Sequence, residues 1–186
     1  MQRVTYSMSV SLDGFVQGPD GDFNWPGLSD EVFDIALDEI REVGVHLMGR
    51  RLYEAMLYWE TVDESALAAP VQQWLEFWNA LPKVVFSKTL STVQGNARLA
   101  TTSLVGEIAR LRSEPAAGNI AIGGATLAAQ AADLGLIDEY HLRVYPVLVG
   151  GGLPFFARDE RRVDLELLET RSFDSGVSYL RYAVRR

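Results

Sequence analysis

NIAIGGATLAAQAADLGLIDEYHLRVYPVLVGGGLPFF, residues 119–156, is the stretch on which the fold turns. It opens with a short apolar run, Asn119 to Ile122, broken by Gly123-Gly124. A helix-forming segment follows from Ala125 to Leu134 and stops at Gly135. A second apolar strand runs from Tyr140 to Val149 and ends in Gly150-Gly151-Gly152. Strand, glycine turn, helix and strand in that order leave free backbone N–H groups at a helix start, where the positive end of the helix dipole suits a phosphate. A Cβ at those glycines would hold the phosphate off the backbone. Gly-Gly before a helix is also plain turn chemistry, so the phosphate reading needs support from elsewhere in the chain.

Working outward, Val4 to Leu12 alternates and reads as a strand entering the core, turned by Asp13-Gly14. Gly18-Pro19-Asp20-Gly21-Asp22 is a glycine- and acid-rich loop. Ser29 has the character of an N-cap, and Phe33, Ala36, Leu37 and Ile40 share one face of an amphipathic helix over 30–43, ended by Gly44. Val45 to Met48 is a short buried strand leading into Gly49-Arg50-Arg51 and a helix from Leu52 to Trp59. Ser65 to Leu81 is helical in pattern. Lys83 to Phe86 is a strand ending in Ser87-Lys88, Ala97 to Thr101 another, and Ser103 caps a helix to about Arg112. At the far end, Val163–Phe173 and Val177–Val184 flank a turn at Asp174-Ser175-Gly176, a β-hairpin. The alternation predicts one α/β layered domain over residues 1–186, with a mainly parallel sheet and an antiparallel edge.

Composition narrows the function classes. Of the 186 residues 48% are apolar, enough for a sizeable core, and the net charge of −8 argues against a nucleic-acid or anionic-membrane partner. No apolar run approaches the roughly 18 residues of a membrane span, and the N-terminus reads as a strand rather than a signal peptide. Zero Cys excludes a disulfide framework, a thiolate nucleophile and zinc-thiolate sites, and two His offer little to a metal. A cytoplasmic globular protein is the expectation.

In such sheets ligands bind beyond the carboxyl ends of the strands. Three strand ends carry useful groups: Gly49-Arg50-Arg51, Ser87-Lys88 and Gly123-Gly124-Ala125-Thr126. Two guanidiniums, an ammonium, hydroxyls and a helix N-terminus suit a ligand with several phosphates. Taken one at a time, each is accounted for as a cap or a solvated loop charge.

Four stretches, SMSVSLDGFVQGPDGDFNW (7–25), HLMGRRLYEAM (46–56), KVVFSKTL (83–90) and residues 120–156, together resemble the dihydrofolate-reductase-like superfamily. Within it they are similar to the branch holding the reductase domain of bacterial riboflavin biosynthesis, the RibD C-terminal domain. The resemblance implies a three-layer fold around a mixed, mostly parallel sheet with a C-terminal antiparallel hairpin. It also implies NADPH bound in extended form and a homodimer. Position by position, Gly49, Arg50 and Arg51 match a phosphate-contacting turn. Ser87 and Lys88 match the pair near the adenosine 2′-phosphate, and Gly123, Gly124, Ala125, Thr126 and Leu127 the pyrophosphate turn. Ser9, Val16 and Gly18 fall in the segment lining the nicotinamide. Leu52 departs from the family, which commonly has Thr there.

Hydride transfer asks little acid–base machinery of the protein, because the cofactor carries the chemistry. For a proton donor, Asp30 lies about 60° from Phe33 on the helical wheel, toward the sheet. Asp13, in the Ser-Leu-Asp-Gly turn, is the other candidate. Both residues also have plain explanations, a first-turn acid and a turn former. Trp25 is a candidate wall of the substrate pocket, and His46 and His141 read as packed or surface histidines. The expected activity is NADPH-dependent reduction of a pyrimidine- or pterin-like heterocycle by a stand-alone domain without a deaminase half. Dihydrofolate reduction and a nucleotide- or drug-binding module without turnover stand as alternatives.

Overall fold

The computed structural model describes residues 2–25, 29–115, 118–156 and 162–186. Its sheet holds eight strands: β1 (Val4–Ser11), β3 (Val43–Gly49), β4 (Lys83–Phe86), β5 (Ala97–Leu99), β6 (Asn119–Gly123), β7 (Glu139–Tyr145), β9 (Leu165–Ser172) and β10 (Ser178–Val184). Their order is β5-β4-β3-β6-β1-β7-β10-β9. The first six run parallel, while β10 is antiparallel to both β7 and β9. A small second ribbon pairs β2 (Phe15–Gln17) with β8 (Leu153–Pro154).

Helices cover both faces, giving three layers. Helices α4 (Leu104–Ser113) and α5 (Ala125–Asp133) pack Ile108, Leu111, Leu127 and Ala131 on Val4, Tyr6, Val45, Leu47 and Ile120. On the other face α1 (Asp30–Arg41), α2 (Arg50–Met56) and α3 (Ala69–Ala80) bury Leu37, Ile40, Tyr53, Leu75 and Trp78 against Met48 and Val85. A smaller cluster of Val32, Tyr145 and Val177 closes the space under the start of α1. Strands buried on both faces read as apolar runs, which is why the parallel core was legible in the sequence.

Several boundaries differ from expectation, each for a local reason. α1 ends at Arg41, and Gly44 lies inside β3 at an irregular register between Val43 and Val45 rather than terminating the helix. The expected helix 65–81 is a one-turn 3-10 helix (Glu64–Ala66) followed by α3, whose first turn takes Pro70 where no N–H is needed. β7 stops at Tyr145 because Pro146 cannot donate to a ladder. α2 starts two residues before Leu52 and gives way to a 3-10 turn at Leu57.

At the amino end of β4 the Lys83 side chain is 1% exposed, its Nζ donating to the carbonyls of Trp78 (2.7 Å) and Leu81 (3.2 Å). The ammonium sits 4.6 Å from the Trp78 ring centroid and 3.9 Å from Glu60 Oε1. A cation thus satisfies the last carbonyls of α3, where the helix dipole favours positive charge.

Candidate active site at the carboxyl ends of the strands

Because β4, β3, β6, β1 and β7 are parallel neighbours, their carboxyl ends form one rim in that order. The three turns singled out in the sequence follow β4, β3 and β6, so the topology sets Ser87-Lys88, Gly49-Arg50-Arg51 and Gly123-Gly124 side by side.

Gly49 ends β3 and is the N-cap of α2; Gly124, at φ +86°, is the N-cap of α5. Neither helix start carries a side-chain cap, unlike α1 and α4, which Ser29 and Ser103 cap. Orphan N–H groups at a helix start call for an acceptor, and a ligand oxygen serves. Of the α5 residues, Ala125 and Leu127 bury their side chains and offer backbone only, while the Thr126 side chain is exposed. A Cβ at Gly123 would stand 2.5 Å from Leu52 Cδ2 and 2.4 Å from His46 Cε1, and one at Gly124 3.7 Å from Leu52 Cβ. The first turn of α2 and the Gly-Gly turn are therefore in contact, with the hydrocarbon of Leu52 between them. Arg51 and Lys88 are exposed; Arg50 is exposed and reaches Glu54 at 3.5 Å. Ser87 Oγ accepts from the amides of Thr89 (3.1 Å) and Leu90 (3.0 Å), which fixes the turn that carries Lys88.

The β1 and β7 ends are built differently. Asp13 receives the Ser11 hydroxyl at 2.6 Å and the backbone N–H groups of Gly150 (2.7 Å) and Val149 (3.2 Å). The Ser11 bond, with help from those amides, lowers its pKa. Its carboxylate latches the glycine loop to the β1–β2 turn. Val16 is buried with its side chain in the core, so that side chain is not available to a ligand, and Gly18 closes a tight loop with Asp22 and Gly21. The half-buried Trp25 packs edge-on to Tyr145, ring centroids 5.7 Å apart.

Asp30 is exposed in the first turn of α1 and does not face the sheet as the wheel suggested. The buried stripe of α1 is Val32, Ile35, Leu37 and Ile40, and Phe33 is only half-buried, so the helix is rotated from the assumed phase. The acid that this rotation turns inward is Glu39, missed in the sequence. Its carboxylate takes the Ser7 hydroxyl (2.9 Å), the Arg143 guanidinium and the Tyr179 hydroxyl (3.2 Å), and lies 2.9 Å from His141 Nδ1. Arg143 also donates to Ser7 (3.0 Å) and to Ser9 (3.4 Å). Glu139, below it, meets His141 Nε2 (3.2 Å), Arg181 Nε (2.7 Å) and Arg3 (2.5 Å). Burial alone would raise both carboxylates. The Arg143 charge with the His141 bond holds Glu39 at about 2, and the His141 and Arg181 bonds hold Glu139 there too. Burial disfavours charge on His141, but its bonds to Glu139 and Glu39 outweigh this and raise its pKa. The available signal was parity: Ser7 and Ser9 in β1, with Glu139, His141 and Arg143 in β7, put polar groups on one side of two otherwise apolar strands. A cavity of about 230 Å³ beside this network, lined by Glu39, Glu169, Arg171, Tyr179 and Arg181 among others, lies over β9–β10, away from the rim.

The model of the RibD C-terminal domain matches residues 2–179. An uncharacterized protein of Bacillus subtilis strain 168, YyaP, is 26% identical over 181 residues, covering 97% of this chain and 94% of that one. In fold, the chain is similar to a protein assigned to riboflavin biosynthesis in Shewanella sp. PV-4, with TM-score 0.76 and 22% identity over the whole of both chains. It is also similar to Acinetobacter baumannii RibD, with TM-score 0.73 and 18% identity, covering 100% of this chain and 58% of that one.

Proposed function

The chain belongs to the RibD C-terminal domain family, and on that premise we propose that it is an NADPH-dependent reductase of a pyrimidine- or pterin-like heterocycle. One observation carries the reading: two helix starts without side-chain caps, at Gly49 and Gly124, touch each other at the strand ends with Arg50, Arg51 and Lys88 around them. That is the donor set an extended, multiply phosphorylated cofactor requires, and the contact at Gly123 leaves room for backbone but not for a side chain.

The N–H groups of Gly123 to Leu127 and the Gly49-Arg50-Arg51 turn would hold the pyrophosphate. Lys88, on the turn that Ser87 fixes, would meet a 2′-phosphate and favour NADPH over NADH. The segment of Ser9, Val16 and Gly18 lines the nicotinamide in this reading, with Trp25 walling the substrate. Bound NADPH supplies a hydride; the chain's part is to align ring and acceptor and to exclude water. Asp30, exposed on α1, stands free to pass a proton, whereas Asp13 is engaged in holding the glycine loop.

The test is thermal melting with NADPH, NADH and neither. A ligand at 100 times its Kd adds ~2.7 kcal/mol, roughly 5–10 °C in Tm for a chain of this size. NADPH is expected to exceed NADH, and Lys88→Ala to remove the difference. No shift with either cofactor at millimolar concentration sinks the reading. Leu52, an apolar group where a hydroxyl would help hold a phosphate, favours a second reading, a nucleotide-binding module without turnover. Binding of NADPH without its consumption against a panel of pterins and aminopyrimidines would select that alternative.

A further inference from the structure

The rim is divided in charge and in the availability of its donors. On the β4–β3–β6 half the helix starts lack side-chain caps and the cations project outward. On the β1–β7 half several of the donors able to receive an anion, its one guanidinium among them, are already engaged by the protein's own oxygens. Ser29 Oγ accepts from Val32 N at the start of α1, and Asp30 and Glu31 occupy its first turn. The Val149 and Gly150 amides belong to Asp13. Arg143, the cation next to Ser9, is bound to Glu39, Ser7 and Ser9.

Sequence and exposure agree with this division. Between Arg3 and Arg41 the chain has no Lys or Arg and eight carboxylates. Asp13, Asp20, Asp22, Asp30 and Asp34 among them are exposed. Large apolar side chains stand open among them: Leu148 at 71%, Leu12 at 65% and Phe23 at 59%. A phosphate arriving there would meet negative charge and hydrocarbon, and residues 4–40 and 144–156 offer it no Lys or Arg.

We infer that the substrate of this rim is an uncharged or protonated planar heterocycle without a phosphate group, its apolar faces taken by Leu12, Leu148 and Trp25. The inference rests on the reductase reading and refines it, because it separates this chain's substrate from the phosphoribosylaminouracil for which a similar Thermotoga maritima structure is named.

The test saturates the full chain with NADP+, filling the cofactor half, and measures binding of two probes by calorimetry: 5-amino-6-ribosylaminouracil and its 5′-phosphate. The riboside is expected to bind at least tenfold more tightly, and Asp30→Lys combined with Asp34→Lys to narrow that ratio to threefold or less. Equal or tighter binding of the 5′-phosphate overturns the inference, as does a ratio that the double variant leaves unchanged. Should neither probe bind, inorganic pyrophosphate decides. Uptake by the free chain that NADP+ abolishes upholds a single phosphate region, while uptake that survives saturation overturns it. Failure of NADP+ itself to bind refutes the reductase reading on separate grounds, and the ratio of the two probes on the free chain then still decides the inference.

Discussion

Glu39 shows how one carboxylate organises its surroundings. It is the shared acceptor of Arg143, Ser7 and Tyr179 and a partner of His141, so removing it leaves a half-buried guanidinium and a buried imidazole with fewer partners. Breaking a buried ion pair from one side costs about 3–5 kcal/mol. Glu39→Ala should therefore lower the urea midpoint by that order, and Glu39→Gln, which keeps the hydrogen-bond acceptor, by less. Leu52 makes the opposite prediction. Leu52→Thr places a hydroxyl between the two helix starts, and a hydrogen bond to a charged group is worth about 1.5–3 kcal/mol. NADPH should bind about tenfold more tightly to that variant, measured by fluorescence titration, with no comparable gain for Leu52→Ala. Neither residue's part could be read in advance from its neighbours in sequence: Glu39 required the rotational phase of α1, and the Leu52 contact a turn some seventy positions away.

Elements were more legible than the ends that join them. Most strands of the parallel core announced themselves as apolar runs, β1 by its alternation, and the hairpin of β9 and β10 by its Asp-Ser-Gly turn. The β2–β8 ribbon did not, because two- and three-residue strands have no period to detect. That ribbon holds the rim loop through Gly152, where φ is +118° and a Cβ would come within 2.1 Å of the Gln17 carbonyl oxygen. Gly152→Ala forces the loop off β2, and the expected result is faster amide exchange at Phe15 and Gln17 with the central strands unchanged, read by hydrogen-exchange mass spectrometry. The candidate site was legible to the extent that it consists of glycines and cations at strand ends. The roles of Asp13 and Asp30 were not, since both depend on which way a carboxylate points.

For the whole molecule, the network under α1 sets the response to pH. Glu39 and Glu139 are held at about 2 in the folded chain against an ordinary value of 4.5. Their contribution is present above about pH 4.5 and is lost as pH falls from there toward 2. His141, whose pKa is raised, contributes fully below its ordinary value of 6.5 and loses that contribution as pH rises through its folded value. Unfolding free energies at about pH 3, 6 and 9 should therefore peak at the middle value, and His141→Gln should flatten the alkaline side and, because its bonds help hold Glu39 and Glu139 low, soften the acid side as well.

Lys83 and Lys88 are the two lysines of the chain, five positions apart, one sealed under Trp78 and the other open at the rim. An amine-directed acylating reagent applied to the native protein has only one of the two lysines to react with. Modification of Lys88, followed by peptide mass spectrometry, should slow when the cofactor occupies the rim, and modification of Lys83 should begin only when α3 separates from β4. One reagent thus reports occupancy at one lysine and unfolding at the other.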